Sequence, residues 1–321
     1  MILVTGATGF VGRSVVEHLY KGGLGVRACS RQKSAEIERC SELYIAHDML
    51  KNTEWQQALL NISVVIHLAA RVHVMDDSAA DPLTEFRYVN TASTLNLARQ
   101  AAEAGVKRFV FISSIKVNGE MTSVDQPFKP NDNYIPTDPY GLSKYEAEQG
   151  LLIIAKETGM EVVILRPPLV YGPDVKANFA SMMKWMNKSI PLPFGAIHNK
   201  RSLVALGNLV SFIIHCADYK KTPQAANQVF LISDGEDVST TELLQKVAKA
   251  FGKKALLLPV PVSLMTLAAK LLGKGDVANR LFGSLQVDSS KARELLDWKP
   301  VITMDEQLKK TADAYLAKKK N

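Results

Sequence analysis

The 321 residues suffice for one large core or two unequal lobes, and 47% hydrophobic with 22% charged residues is the balance of a soluble globular chain. Thirty-nine basic and 32 acidic residues leave a net charge of +7, but the cations are scattered and no nucleic-acid-binding motif accompanies them, so small anionic ligands are expected and nucleic acid is not. Cys29, Cys40 and Cys216 have no metal or disulfide spacing; with no leader-like stretch before "MILVTG", they suggest a reducing cytoplasm and no metal site.

Short apolar runs alternate with helical stretches through the first half: 2–6, 25–30, 43–47, 64–70, 108–114 and 161–167. They are rich in Val, Ile and Phe without polar alternation, as strands buried on both faces should be. Between them, Val11, Val15 and Leu19 share one helical face, as do Leu95, Ala98 and Ala102. This rhythm predicts an α/β fold, a doubly wound parallel sheet over 1–170. After Tyr171 prolines and glycines cluster and helices dominate, so 171–321 is expected to form a smaller, mainly helical substrate lobe, with 227–233 returning to the main sheet. The most apolar stretch, 255–273, is interrupted by two prolines and a lysine and is too broken for a spanning helix. It is expected to be a core or lobe-packing helix after Pro261, with a peripheral membrane contact as the alternative.

"VTGATGFVG" sets Gly6, Gly9 and Gly12 directly after a strand and at the start of an amphipathic helix. Such glycines allow a tight turn, a close backbone approach to pyrophosphate and close helix–strand packing, and the helix N-terminus favours anions. Gly6, Thr8, Gly9, Phe10 and Val11 are therefore the expected pyrophosphate side of a dinucleotide site. An acid about 20 residues on would hold the ribose hydroxyl of NAD. That region reads "CSRQK", with Arg31 and no acid before Glu36, so NAD(P) is expected with NADP favoured through Arg31. Asp48 is a candidate for the adenine amino group.

Ser113 and Ser114 end the fifth strand, where ligands of such sheets collect. In "TDPYGLSKYEAE", Asp138 and Pro139 form a helix start, and Tyr140 and Lys144 fall one turn apart on one face. A phenol lowered from its usual pKa of about 10 by an adjacent ammonium could exchange a proton with a reacting oxygen during hydride transfer. Lys144 is spaced to provide that charge, and Ser114 to hold the oxygen.

The combination resembles the extended short-chain dehydrogenase/reductases, in their nucleotide-sugar epimerase/dehydratase branch. The resemblance rests on the glycine motif, "HLAA" (67–70), "VNTASTLNL" (89–97), "FISSIKVNG" (111–119), "PYGLSK" (139–144), "RPPLVYGP" (166–173) and "VDSSKARELLDWKP" (287–300). It implies Ser114, Tyr140 and Lys144 as catalytic residues, Asn90 beside the cofactor, and Leu68, Ala69 and Ala70 along its pyrophosphate and ribose. It also implies a UDP-sugar substrate and a homodimer through 93–104 and 142–157.

By the same resemblance "KRSLVALGNLV" (200–210) places Arg201 on the substrate pyrophosphate, with Ser202 and Asn208 where the family carries acids. Arg280 is a second phosphate candidate, and Asn178 and Phe179 match nucleotide-contacting positions. Lys116, Asn118 and Leu169 depart from the family near the expected sugar pocket. Ile115 and Lys116 replace the Asp-Glu pair of dehydratases, which argues against loss of water. The resulting expectation is reduction of a UDP-4-keto-6-deoxy-N-acetylhexosamine for surface polysaccharide, with a UDP-sugar 4-epimerase as the alternative. A small-ketone reductase and a non-catalytic NADP sensor rank lower.

Overall fold

In the computed structural model, residues 1–34, 37, 40–46, 52–71, 81–273 and 275–319 are described. The apolar runs become parallel strands β1 (Ile2–Thr5), β2 (Val26–Ser30), β3 (Glu42–Ile45), β4 (Val64–His67), β5 (Arg108–Ile112) and β6 (Glu161–Arg166). Among the described residues the main sheet has seven strands in the order β3-β2-β1-β4-β5-β6-β9, the last being Gln228–Leu231. Each strand pairs in parallel with its neighbours, with Ile2 opposite Val26 on one side and Val64 on the other.

Neighbouring residues on a strand point to opposite faces, and here both faces are apolar. Val4, Ile66, Val110 and Val163 face helices α1 (Phe10–Lys21) and α7 (Leu206–Ala217). Leu3, Val65, Phe109 and Val162 face α2 (Gln56–Leu59), α4 (Ser93–Glu103) and α5 (Pro139–Thr158). Helix α3 (Pro82–Phe86) leads into α4 through a π-helical segment, Arg87–Ala92. The outermost strand β3 departs from the expected two-sided burial, since Glu42 and Leu43 are exposed at the sheet edge.

The second sheet, in the order β10-β8-β7, contains β7 (Leu169–Tyr171), β8 (Arg201–Ala205) and β10 (Asp237–Val238). It packs with α6 (Ala177–Asn187), α8 (Thr240–Ala250) and α12 (Met304–Ala317) around Tyr171, Phe179, Met183, Leu244 and Leu308. Helices α9 (Val262–Leu271), α10 (Gly275–Phe282) and α11 (Ser290–Leu296) complete the second half. A cut at 170/171 does not separate two cores. Leu209, Phe212 and Ile213 of α7, Phe230 of β9 and Ala292 of α11 all sit in the main-sheet core. Among the described residues, no helix is long and apolar enough to cross a membrane.

Candidate active site

The cradle follows from two close approaches and one uncapped helix start. Gly6 has φ +67°, and a Cβ there would lie 2.7 Å from the Ala69 nitrogen; a Cβ on Gly12 would lie 2.1 Å from the Gly6 oxygen. Side chains are therefore excluded on steric and conformational grounds. Gly9 is the N-cap of α1 and brings no capping side chain, so the first turn's N–H groups are available to an anion. Thr8 and Gly9 are exposed above this turn, while Phe10 and Val11 pack partly into the core. These features suit a dinucleotide pyrophosphate.

A buried polar chain fixes the opposite wall. Thr5 Oγ1 lies 2.7 Å from His67 Nδ1, and His67 Nε2 lies 2.9 Å from Thr94 Oγ1. Burial, followed by the Lys144 charge, pushes the His67 pKa down to about 3, so the ring is neutral. Leu68, Ala69 and Ala70 continue from β4, and the Leu68 amide donates to Thr5 over 3.3 Å. Asn90 is fully buried on the π-helical segment. It accepts from the Arg71 amide (2.8 Å) and donates to the Arg71 carbonyl (3.0 Å) and Ser143 Oγ (3.1 Å). Its hydrogen bonds thus tie the post-β4 loop to α5. Arg31 is exposed immediately beyond β2, and Asp48 lies outside the described residues.

At the carboxyl end of β5 the expected trio is brought together. Asp138 caps α5 by accepting from the Gly141 amide at 3.0 Å, with Pro139 in the first turn. Tyr140 therefore lies in the first turn of the helix, its ring edge-on to Phe86 at 5.9 Å and its phenol on the side of Ser114. Ser114 Oγ also accepts from the Lys116 amide at 3.3 Å. Lys144 Nζ donates to the Ile112 carbonyl at 2.9 Å and sits 4.5 Å from the Phe111 ring centre.

The electrostatics correct one expectation. Desolvation pushes the Tyr140 pKa up to about 12, opposed by the Ser114 hydrogen bond and reinforced by Asp138. Burial also pulls Lys144 down to about 7, against the charge of Glu148 one turn further along. The ammonium is directed at the strand-end carbonyl, so spacing alone does not acidify the phenol. The Ser113 hydroxyl is buried without a partner.

Of the residues expected to meet the substrate, Lys116 contacts Glu120 at 2.9 Å and Asp138 at 3.2 Å through its Nζ. Arg201 starts β8, and its Nη1 donates to the carbonyls of Arg280 (2.8 Å) and Gly283 (3.0 Å) at the end of α10. The two arginines are thereby neighbours, with Arg280 exposed. Asn178 is exposed near the start of α6. Phe179 is core instead, 1% exposed and stacked on Tyr171 at 5.5 Å. Asn208 is structural: its amide donates to Asp234 and the Ile302 carbonyl, and its oxygen accepts from the amides of Val301 and Ile302. A carboxylate there could not donate to both acceptors.

Sequence reasoning missed His67, Ser143 and the buried pair Glu148–Arg166. Each had a signal: one polar residue inside "VVIHLAA", a serine three positions after Tyr140, and a glutamate four after Lys144.

A doubly wound sheet with this cradle and helix α5 defines an extended short-chain dehydrogenase/reductase, an NAD-dependent class of enzyme. The chain belongs to the NAD dependent epimerase/dehydratase family, which it matches over residues 2–231. It is 53% identical, over 98% of its length and 95% of the other's, to a UDP-glucose 4-epimerase of Vibrio cholerae. It is also similar to a solved UDP-glucose 4-epimerase of Thermotoga maritima with UDP-glucose, at 25% identity, TM-score 0.75 and 99% coverage of both chains. A short-chain dehydrogenase/reductase superfamily protein of Agrobacterium tumefaciens with bound NAD shares the fold at TM-score 0.77 and 24% identity, over 100% of this chain and 99% of that one.

Proposed function

We propose that this chain interconverts UDP-hexoses that differ in configuration at C4, with UDP-glucose and UDP-galactose as the substrate pair. The similarity to the Vibrio cholerae UDP-glucose 4-epimerase over nearly the whole length carries this reading. It puts the epimerase ahead of the 4-ketoreductase that the sequence favoured. Tyr140 Oη removes the proton of the C4 hydroxyl and returns it after the 4-ketone has presented its other face. Ser114 Oγ, at the end of β5 on the side of that phenol, orients the sugar oxygen. Bound in the glycine cradle, the nicotinamide supplies reversible hydride acceptance. In this reading Arg201 and Arg280, neighbours through the Arg201–Arg280 carbonyl contact, take the substrate diphosphate, and Lys116 and Asn178 serve the sugar and the nucleotide.

The test is to incubate purified protein with UDP-glucose, UDP-galactose and their N-acetylated forms, with and without NADPH. Sugar interconversion without added NADPH is expected. Stoichiometric NADPH consumption with a 4-keto sugar, and no interconversion, would replace the epimerase with the reductase.

Arg31 supports tolerance of a 2′-phosphate, so NADP is the finer cofactor assignment. Arg31→Ala should weaken NADP by about 10- to 100-fold in a fluorescence titration, with NAD little changed. Equal losses for both would remove this argument. A homodimer through α4 and α5 remains part of this reading by family resemblance. The free thiols of Cys29, Cys40 and Cys216 suit a cytoplasmic setting.

A further inference from the structure

Helix α9 turns the wrong side outward for a surface helix. Val262, Met265, Thr266 and Ala269 form its partly buried side, and no residue of the helix is buried. Its outer stripe is Leu264, Leu267, Ala268 and Leu271, spaced i, i+3, i+4, i+7, where a soluble helix carries polar groups. Exposure is 58% at Leu264, 57% at Leu267, 80% at Leu271 and 73% at Leu272. The expectation of a core helix here is therefore overturned. Leu256 and Leu258, 49% and 56% exposed, extend the patch along the segment that pairs with Leu192.

Along the chain, the charge of the segment is one-sided up to Asp276. Residues 252–275 contain four lysines and no aspartate or glutamate. Lys253, Lys254 and Lys270 are exposed, and Lys270 lies beside the leucine stripe. Leucines outward with flanking ammonium groups match the interface of an anionic bilayer, where apolar side chains enter the acyl boundary and lysines reach the headgroups. A second protein copy would have to bring like-charged lysines together.

We infer that the outer face of α9, with Leu256 and Leu258, docks this chain peripherally on an anionic lipid surface. The opposite side of helix α9 packs on α10, which carries Arg280.

The test is co-sedimentation of the full chain with vesicles of phosphatidylcholine, alone or containing phosphatidylglycerol. Binding should require phosphatidylglycerol and weaken with salt. Leu267→Asp with Leu271→Asp should reduce partitioning by at least about tenfold, and Lys254→Ala with Lys270→Ala should reduce only the phosphatidylglycerol-dependent part. Turnover of soluble UDP-sugar should be unchanged in both, which separates this result from the fate of the epimerase reading. No binding to either vesicle, or wild-type binding by the leucine variant, would overturn the proposal. So would a dimer, seen by sedimentation velocity, that the leucine variant abolishes.

Discussion

Tyr140→Phe should lower kcat by about 10²- to 10⁴-fold while leaving dinucleotide affinity nearly unchanged, because it deletes the one group placed to move the C4 proton. The ring would keep its edge contact with Phe86, and α5 its Asp138 cap, so folding should survive. The pH profile separates a proton-transfer role from a structural one. With the phenol pushed up to about 12, the basic form is scarce at neutral pH and grows tenfold with each unit. Wild-type log kcat/KM should therefore rise with pH with a slope near +1 until the phenol ionises in the free enzyme. The residual rate of Tyr140→Phe should lack that rise. A variant that keeps both rate and slope would remove Tyr140 from the mechanism.

That profile depends on a feature the sequence could not disclose. The four-residue spacing of Tyr140 and Lys144 does put both on one side of α5, and the Asp138–Pro139 start is visible in the letters. Where the amine points is set by β5, which ends with the Ile112 carbonyl and the Phe111 ring beneath it. These contacts are over 30 residues away in sequence, so no local pattern encodes them. Gly9 and Gly12 were legible for the opposite reason: their close approaches to the Gly6 carbonyl lie within one strand–turn–helix unit, whereas the crowding of Gly6 by Ala69 comes from the distant loop after β4. The same contrast explains the second half. Helix α7, strand β9 and helix α11 rejoin the main core through long-range packing, which periodicity cannot report. Phe179 reads equally well as a ligand contact or as core, and only its stacking on Tyr171 decides. For α9 a helix after Pro261 was legible, but which of its faces met the protein was not.

The largest effect on stability should come from the ion pair beneath the catalytic helix. Glu148 lies one turn beyond Lys144, and its side chain is 1% exposed; that of Arg166, at the end of β6, is 7% exposed. Arg166 donates from Nε at 3.0 Å and from Nη2 at 2.5 Å to this carboxylate. Its Nη1 reaches Asn118 Oδ1 at 2.9 Å, and Asn118 holds the Lys129 carbonyl at 2.7 Å. The chain of contacts thus links α5 to the segment 118–132 that leads towards the sugar side. Removing one ion strands the other without water, so Arg166→Met or Glu148→Leu alone should cost about 3–5 kcal/mol in urea unfolding. That is a large part of the roughly 5–15 kcal/mol available to a folded domain. Replacing both should recover most of the loss, because the desolvation cost of both charges disappears together. KM for the UDP-sugar should not recover, since the Asn118 anchor stays broken while Tyr140 is untouched. Additive stability losses in the double variant, or a KM restored along with stability, would show that the pair neither shares its desolvation cost nor positions the sugar-side segment.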